Sequence, residues 1–273
     1  MGKKLEHLLQ IGFMNISGLR ANLSSKKEDD LRRGVSALEF DIFGLAETNT
    51  DWRSVEEDSR LHAKTRGWWE TTHINFAHNR SSPTSGKHQW GGTALFSINE
   101  AAHQVLDKGI DDSNLGRWCW TRYKGRNNHI LRIVCAYRQN FPTGHLSVYS
   151  QHRSTLLERE DERYPRKAFL QDLEKLLAMA SQQGKNIILM LDGNTNMKQS
   201  DMTDSTGLLG FKEAIILRHG TSGPETFRRN KNKMPIDGIW VSRHVVIQHS
   251  GYLDMIRLFL AGTIVVYGWI SAL

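Results

Sequence analysis

The pattern of apolar and polar positions divides the chain into short runs. Six of them, LLQIGFMNI, DIFGLAE, GGTALFSI, HILRIVCAYRQ, NIILMLDGN and IDGIWVS, have strand length and are rich in β-branched or aromatic residues. Two longer segments have helical spacing. In the first, Lys26 to Phe40, Leu31, Val35 and Leu38 recur near one face. In the second, Pro165 to Lys185, Pro165 suits a first turn, Phe169, Leu170, Leu173, Leu176 and Leu177 form an apolar stripe, and Gly184 is a natural stop. Each helix feeds an apolar run that ends on a carboxylate, Glu47 and Asp192. This alternation predicts an α/β layered fold with functional groups at strand ends.

No repeat, low-complexity block or long linker interrupts the pattern, so the 273 residues read as one domain followed by an unusual tail. With 39% hydrophobic residues, 24% charged and 5 prolines, the composition is that of an ordinary globular protein. Cys119 and Cys135 have neither zinc-site nor disulfide-framework spacing. The N-terminus has no apolar stretch of signal-peptide length, and Glu6 stands where a myristoylation signal prefers Ser or Thr. The expectation is an intracellular protein, nuclear or cytoplasmic and not secreted. A net charge of +7 favours polyanions as partners, although a lysine-rich soluble surface explains it equally well.

Four apolar runs stop on polar groups: Asn15, Glu47, Asp192 with Asn194, and Asp237. Singly, each is ordinary turn chemistry. Together they are oxygen donors at strand ends, able to serve a hard cation such as Mg²⁺ in phosphodiester hydrolysis. Basic stretches add a candidate substrate surface. FRRNKNK carries Arg228 and Arg229, and WTRYKGR interleaves Trp120 and Tyr123 with Arg122, Lys124 and Arg126; the second reads equally as a charged strand edge.

In order and content these motifs resemble the endonuclease/exonuclease/phosphatase superfamily, in particular apurinic/apyrimidinic endonucleases and the endonuclease domains of retrotransposons. The resemblance runs from about Leu8 to Tyr252. It implies a four-layered α/β sandwich, two packed, mostly antiparallel sheets flanked by helices, with a metal-dependent site at one end. By the same resemblance Asn15 and Glu47 bind the metal, Mg²⁺ or Mn²⁺. Asp192 orients or deprotonates the attacking water, Asn194 and Tyr137 contact the phosphate, and Asp237 is the carboxylate that pairs with a late His. Arg20, Thr226, Arg228 and Arg229 fall at substrate positions. The partner implied is nucleic acid, in the first place DNA, with a fused or associated reverse transcriptase and no membrane. Phosphate-ester hydrolysis and inactive nucleic-acid binding are the alternatives. The chain departs from the pattern in two places: the Gly before Asp192 is Leu191, and the late Asp-His motif is missing. His73, His78, His88, His244 and His249 offer no fitting substitute.

The missing motif belongs where the chain becomes apolar. Leu258 to Leu273 carry no charge, although mean hydropathy over the whole chain is -0.48. The tail is short of the roughly 20 apolar residues of a membrane anchor, and GTIVVYGWI has the β content of a buried strand. A third reading is genetic. Codons compatible with the residues from Asp254, read two bases on, encode YDTFIPGGDHRGLWMD, which contains Gly-Asp-His. The domain expectation is therefore residues 1–253 as the family-like unit and 254–273 as an aberrant tail, a frameshifted final strand, with the last strand of the fold disrupted.

Overall fold

The computed structural model describes residues 8–19, 26–82, 86–125, 129–141, 144–184, 186–198, 201, 207, 209–220, 227–229, 232–253 and 265–271; for 227–229, 232–234 and 265–271 it describes the backbone alone. Two six-stranded sheets carry the architecture. The strands of the first are β1 (Leu9–Asn15), β2 (Ile42–Ala46), β3 (Thr72–Ala77) and β4 (Thr93–Ile98), with β13 (Val246–Leu253) and β14 (Val265–Ser271), in the order β13-β14-β1-β2-β4-β3. Those of the second are β5 (Val105–Ile110), β6 (Trp118–Lys124), β7 (Ile130–Tyr137), β8 (Asn186–Asp192), β9 (Lys212–Glu213) and β12 (Asp237–Val241), in the order β5-β6-β7-β8-β12-β9. A hairpin of β10 (Phe227–Arg229) and β11 (Asn232–Met234) stands apart.

Only β1 with β2 and β7 with β8 pair in parallel; the other pairs are antiparallel. A parallel pair needs a crossover, and the two helices read from the sequence supply it. Helix Lys26–Ala37 buries Leu31 and Val35. Helix Pro165–Gln182 has Pro165 at its N-terminus, buries Phe169, Leu173 and Leu177 at four-residue spacing, and ends before Gly184, whose φ is +67°.

Ile11, Phe13, Ile42 and Leu95 of the first sheet meet Ile133, Cys135, Ile188, Met190 and Ile239 of the second in the inner core. Outside, Phe43, Leu45 and Phe96 pack with Leu31 and Val35, and Val134, Leu189 and Trp240 with Phe169 and Leu177. The layers are therefore helix, sheet, sheet, helix, as expected. Because both faces of the central strands are covered, those strands read as continuous apolar runs.

One expectation changes and one choice is decided. Where the tail implies a disrupted final strand, the backbone of Val265–Ser271 pairs with β1 on one side and β13 on the other, Val266 opposite Phe13 and Val265 opposite Leu253. Strand formation there needs β content and two edges, both of which the tail meets, rather than any particular charged residue. Of the two readings of WTRYKGR, its described residues favour the charged strand, and Arg126 lies outside the described residues. The stretch lies mainly in β6, an interior strand, with Tyr123 fully buried against Ser97 and Arg122 paired with Asp107. The Arg132 guanidinium lies over the Trp120 ring, and Lys124 sits opposite Ile130, at the far end of the sheet from Tyr137. Among the described residues no helix is long and apolar enough to cross a membrane.

Candidate active site

The register of the strands brings the polar strand ends together. Tyr137 stands beside Asp192 across β7 and β8, and Asp192 beside Asp237 across β8 and β12, so three site residues form one rank. Asn15, level with Ala46 across β1 and β2, places Glu47 one residue further on. The two ranks meet where the sheets face each other: Asn15 Nδ2 donates to Asp192 Oδ2 at 2.8 Å, and Asn15 and Tyr137 lie close enough to Glu47 to favour its charged form.

The backbone at this end is bent into an uncommon shape. Ser17, Glu47, Asn49 and Asn194 all have positive φ, between 46° and 53°. Each such non-glycine residue costs about 1–3 kcal/mol and persists only where its surroundings enforce it. The enforcement after β2 comes from the Gly91-Gly92 turn. Thr48 N–H donates to Gly92 O, Asn49 N–H to Gly91 O, and Gly91 N–H to Asn49 Oδ1 at 2.7 Å. A Cβ on Gly92 would stand 2.6 Å from Thr48 Oγ1, at a φ of +85°. After β8, Asn194 N–H donates to Asp192 Oδ1 and its side-chain Nδ2 to Arg138 O at 2.8 Å.

Electrostatics divide the group. Asp192 is fully buried, and burial together with the charges of Asp237 and Glu47 pushes its pKa well above the usual carboxylate range, against the opposing bond from Asn15. Burial also raises Glu47, though its side chain is only half-buried. Tyr137 is raised too, first by burial and then by Glu47 and Asp192. The charges of Glu47 and Asp237 disfavour the ionised form of Asp192, a setting that a divalent cation relieves. Among the described residues no three His, Cys, Asp or Glu side chains form a metal cage. A donor set of one accessible carboxylate and one amide nevertheless suits Mg²⁺, which keeps several waters.

Six predicted site residues, Asn15, Glu47, Tyr137, Asp192, Asn194 and Asp237, thus share one end of the sandwich. Arg20 and Thr226 lie outside the described residues, and Arg228 and Arg229 lie in β10, where the backbone alone is described. The described histidines that the sequence singled out do not replace the missing one. His244 is exposed, and His249 sits in β13 four residues before Leu253, the residue at the site end of that strand. His78 is buried beside Asp51 at 3.7 Å, its pKa pushed down to about 4, chiefly by burial.

Sequence reasoning missed Arg166. From the first turn of helix Pro165–Gln182 its guanidinium donates to Gln139 O at 2.7 Å and Asn194 O at 3.3 Å, tying together the loops after β7 and β8. Burial lowers its pKa to about 10, so it stays charged at neutral pH. The one signal was an arginine next to Pro165, one turn from the apolar stripe that begins at Phe169.

Solved structures with this fold are numerous and distant. The chain superposes on an AP endonuclease from Leishmania major with a TM-score of 0.69 at 14% identity, covering 97% of this chain and 88% of that one. The 3′ phosphatase NExo of Neisseria, solved with a product DNA hairpin, gives 0.65 at 13% identity over 95% and 98%. The human Nocturnin catalytic domain gives 0.64 at 15% identity over 98% and 95%. No curated relative matches the chain by sequence. The sequence profile of the Endonuclease/Exonuclease/phosphatase family, however, matches residues 13–261, a span that holds all six converging side chains. The chain belongs to that family, whose enzymes hydrolyse phosphodiesters or phosphate esters.

Proposed function

We propose that the chain is a divalent-metal-dependent phosphodiesterase acting on nucleic acid, in the first place a DNA endonuclease of the retrotransposon-associated kind. The observation that supports this most is the juxtaposition of a half-buried Glu47 and Asn15 with a fully buried Asp192 and with Tyr137, contributed by four strand ends of two sheets. Glu47 and Asn15 would hold Mg²⁺, or Mn²⁺ in its place. The ion when bound polarises a phosphoryl oxygen and offsets the charge that develops there. Asp192, once ionised, accepts the proton of the attacking water. Asn194 has a second N–H beyond the one given to Arg138, and Tyr137 has a hydroxyl that can turn from Glu47 to a phosphate oxygen. Arg20, Thr226, Arg228 and Arg229 are the substrate contacts of this reading.

The late Asp-His motif that the resemblance calls for is absent from the sequence, so on this reading the rate falls short of that of a complete site by roughly 10²- to 10⁴-fold, the usual worth of one acid or base. The tail, 254–273, is on this reading a final strand in a shifted frame. The register supports it: β14 enters its sheet at the end that carries Asn15, and the shifted frame reads Asp-His in codons overlapping Gly262 to Ile264, just before Val265. DNA without Asp-His in the other frame would remove this part of the proposal. The protein works inside the cell, beside or fused to a reverse transcriptase.

The experiment is a nicking assay on supercoiled plasmid with Mg²⁺, run beside phosphate release from soluble esters. Nicking supports the endonuclease; phosphate release without nicking supports the phosphatase. Plasmid binding with neither activity, unrescued by a version carrying the shifted-frame end, marks an inactive binding protein.

A further inference from the structure

Beside Tyr137 a cavity of about 310 Å³ opens to the surface. Three large apolar side chains on its wall are exposed to an extent that folding alone does not explain: Trp90 at 49%, Phe141 at 64% and Leu146 at 74%. Two of them, Trp90 and Phe141, are also held in place. The Trp90 ring packs edge-on to His88 at 4.5 Å, and His88 bridges to Thr50 in the loop after β2. The Arg166 guanidinium lies over the Phe141 ring at 4.6 Å while it ties down Gln139 and Asn194. Asn140 accepts from Phe141 N–H through Oδ1, which leaves its amide N–H groups as donors beside the rings.

We infer that this cavity is a subsite for one unstacked nucleobase next to the phosphate under attack. This rests on the nucleic-acid reading above and sharpens it. Tyr137 lines the cavity and stands beside Asp192 in the register of β7 and β8, so an occupant of the cavity lies within one nucleotide of the carboxylate cluster. A base offers what the wall asks for: a planar apolar face for Trp90 and Phe141, and ring or carbonyl acceptors for Asn140. Aromatic rings fixed before binding lose little entropy on stacking. A fully stacked duplex cannot supply such a base, so the subsite favours single-stranded or locally opened nucleic acid.

The test is binding in Ca²⁺ without Mg²⁺, read by fluorescence anisotropy, of a short labelled oligothymidylate against an abasic oligomer of equal length and charge. The base-bearing strand is expected to bind about tenfold tighter, the scale of one stacked base. Trp90→Ala and Phe141→Ala should each bring the ratio towards one, and Phe141→Tyr should keep it. Met179→Ala, which removes an equally exposed side chain elsewhere, should leave the ratio alone. Equal affinities in the wild type, or a ratio untouched by both alanine substitutions, overturn the subsite while leaving the nuclease reading standing. Failure of both oligomers to bind instead strikes the nucleic-acid reading itself. Sedimentation with anionic vesicles that is lost in the same two variants would assign the surface to membrane and overturn the proposal.

Discussion

The two parallel strand pairs carry their functional groups at the same end but in different surroundings. At the ends of β1 and β2, Asn15 and Glu47 are half-buried, within reach of solvent and of a hydrated ion. At the ends of β7 and β8, Tyr137 and Asp192 are 5% and 0% exposed, and burial pushes both pKa values up. One half suits a cation that keeps its waters; the other suits a group that handles a proton away from bulk solvent. On the proposed reading, similar backbone geometry serves two chemistries because one pair ends nearer the surface than the other.

The comparison breaks first at Asp192. Asp192→Asn should lower the single-turnover rate of plasmid nicking by about 10²- to 10⁴-fold. Because burial and its neighbours disfavour the ionised carboxylate, the same variant should not lower the thermal midpoint measured without metal. An intact rate would remove Asp192 from the chemistry. Glu47→Gln tests the other half: the Mg²⁺ concentration at half-maximal rate should rise by about tenfold or more, the scale of losing an interaction that tunes metal affinity. A fall in maximal rate with no change in metal requirement would place Glu47 elsewhere in the mechanism.

A smaller effect concerns how the first half is held. Gly92→Ala puts a methyl group against Thr48 at a φ that alanine resists, and should cost about 1–3 kcal/mol in denaturant unfolding while also raising the metal requirement. Unchanged metal dependence would uncouple that turn from Glu47.

The smallest effects separate the sheets by pH. In the first sheet His78 has its pKa lowered to about 4, so the folded protein resists a proton that the unfolded chain accepts; its stability contribution is full above pH 6.5 and is lost as pH falls through about 4. In the second, burial raises Glu213 to about 7, so its contribution is present below pH 4.5 and is lost as pH rises through about 7. Urea midpoints for His78→Asn should therefore flatten on the acid side and those for Glu213→Gln on the alkaline side. Flattening on the wrong side would refute the assignment.

Where the sequence was legible, two-sided burial made it so. LLQIGFMN, DIFGLA and NIILMLD are apolar runs that stop on or just before a polar residue, and both the strands and the convergence of Asn15, Glu47 and Asp192 at one end follow from that pattern. β5 was missed because its exposure alternates around Asp107 and Lys108, and helix Val148–Glu158 because it buries His152 and Thr155, which give no apolar period. Burial also decided between two readings of WTRYKGR that the sequence left open: charge and aromatic content look alike in a binding strip and in an interior strand whose ends meet solvent. Trp90, Phe141 and Arg166 were not legible as neighbours of the site, since each comes from a different loop or helix and only the fold brings them to Tyr137. The tail shows the limit in the other direction, because a strand can form from β content between two available edges while its sequence lacks the Asp-His pair that the resemblance calls for.

The central claim is that the two strand-pair ends act as one site. It is tested most directly by single-turnover nicking with Glu47→Gln, Asp192→Asn and the double variant under identical Mg²⁺. Groups that act as a unit lose activity together, so the double variant should be about as slow as Asp192→Asn alone. Losses that multiply would contradict the claim and leave two independent groups that happen to lie at the same end of the sandwich.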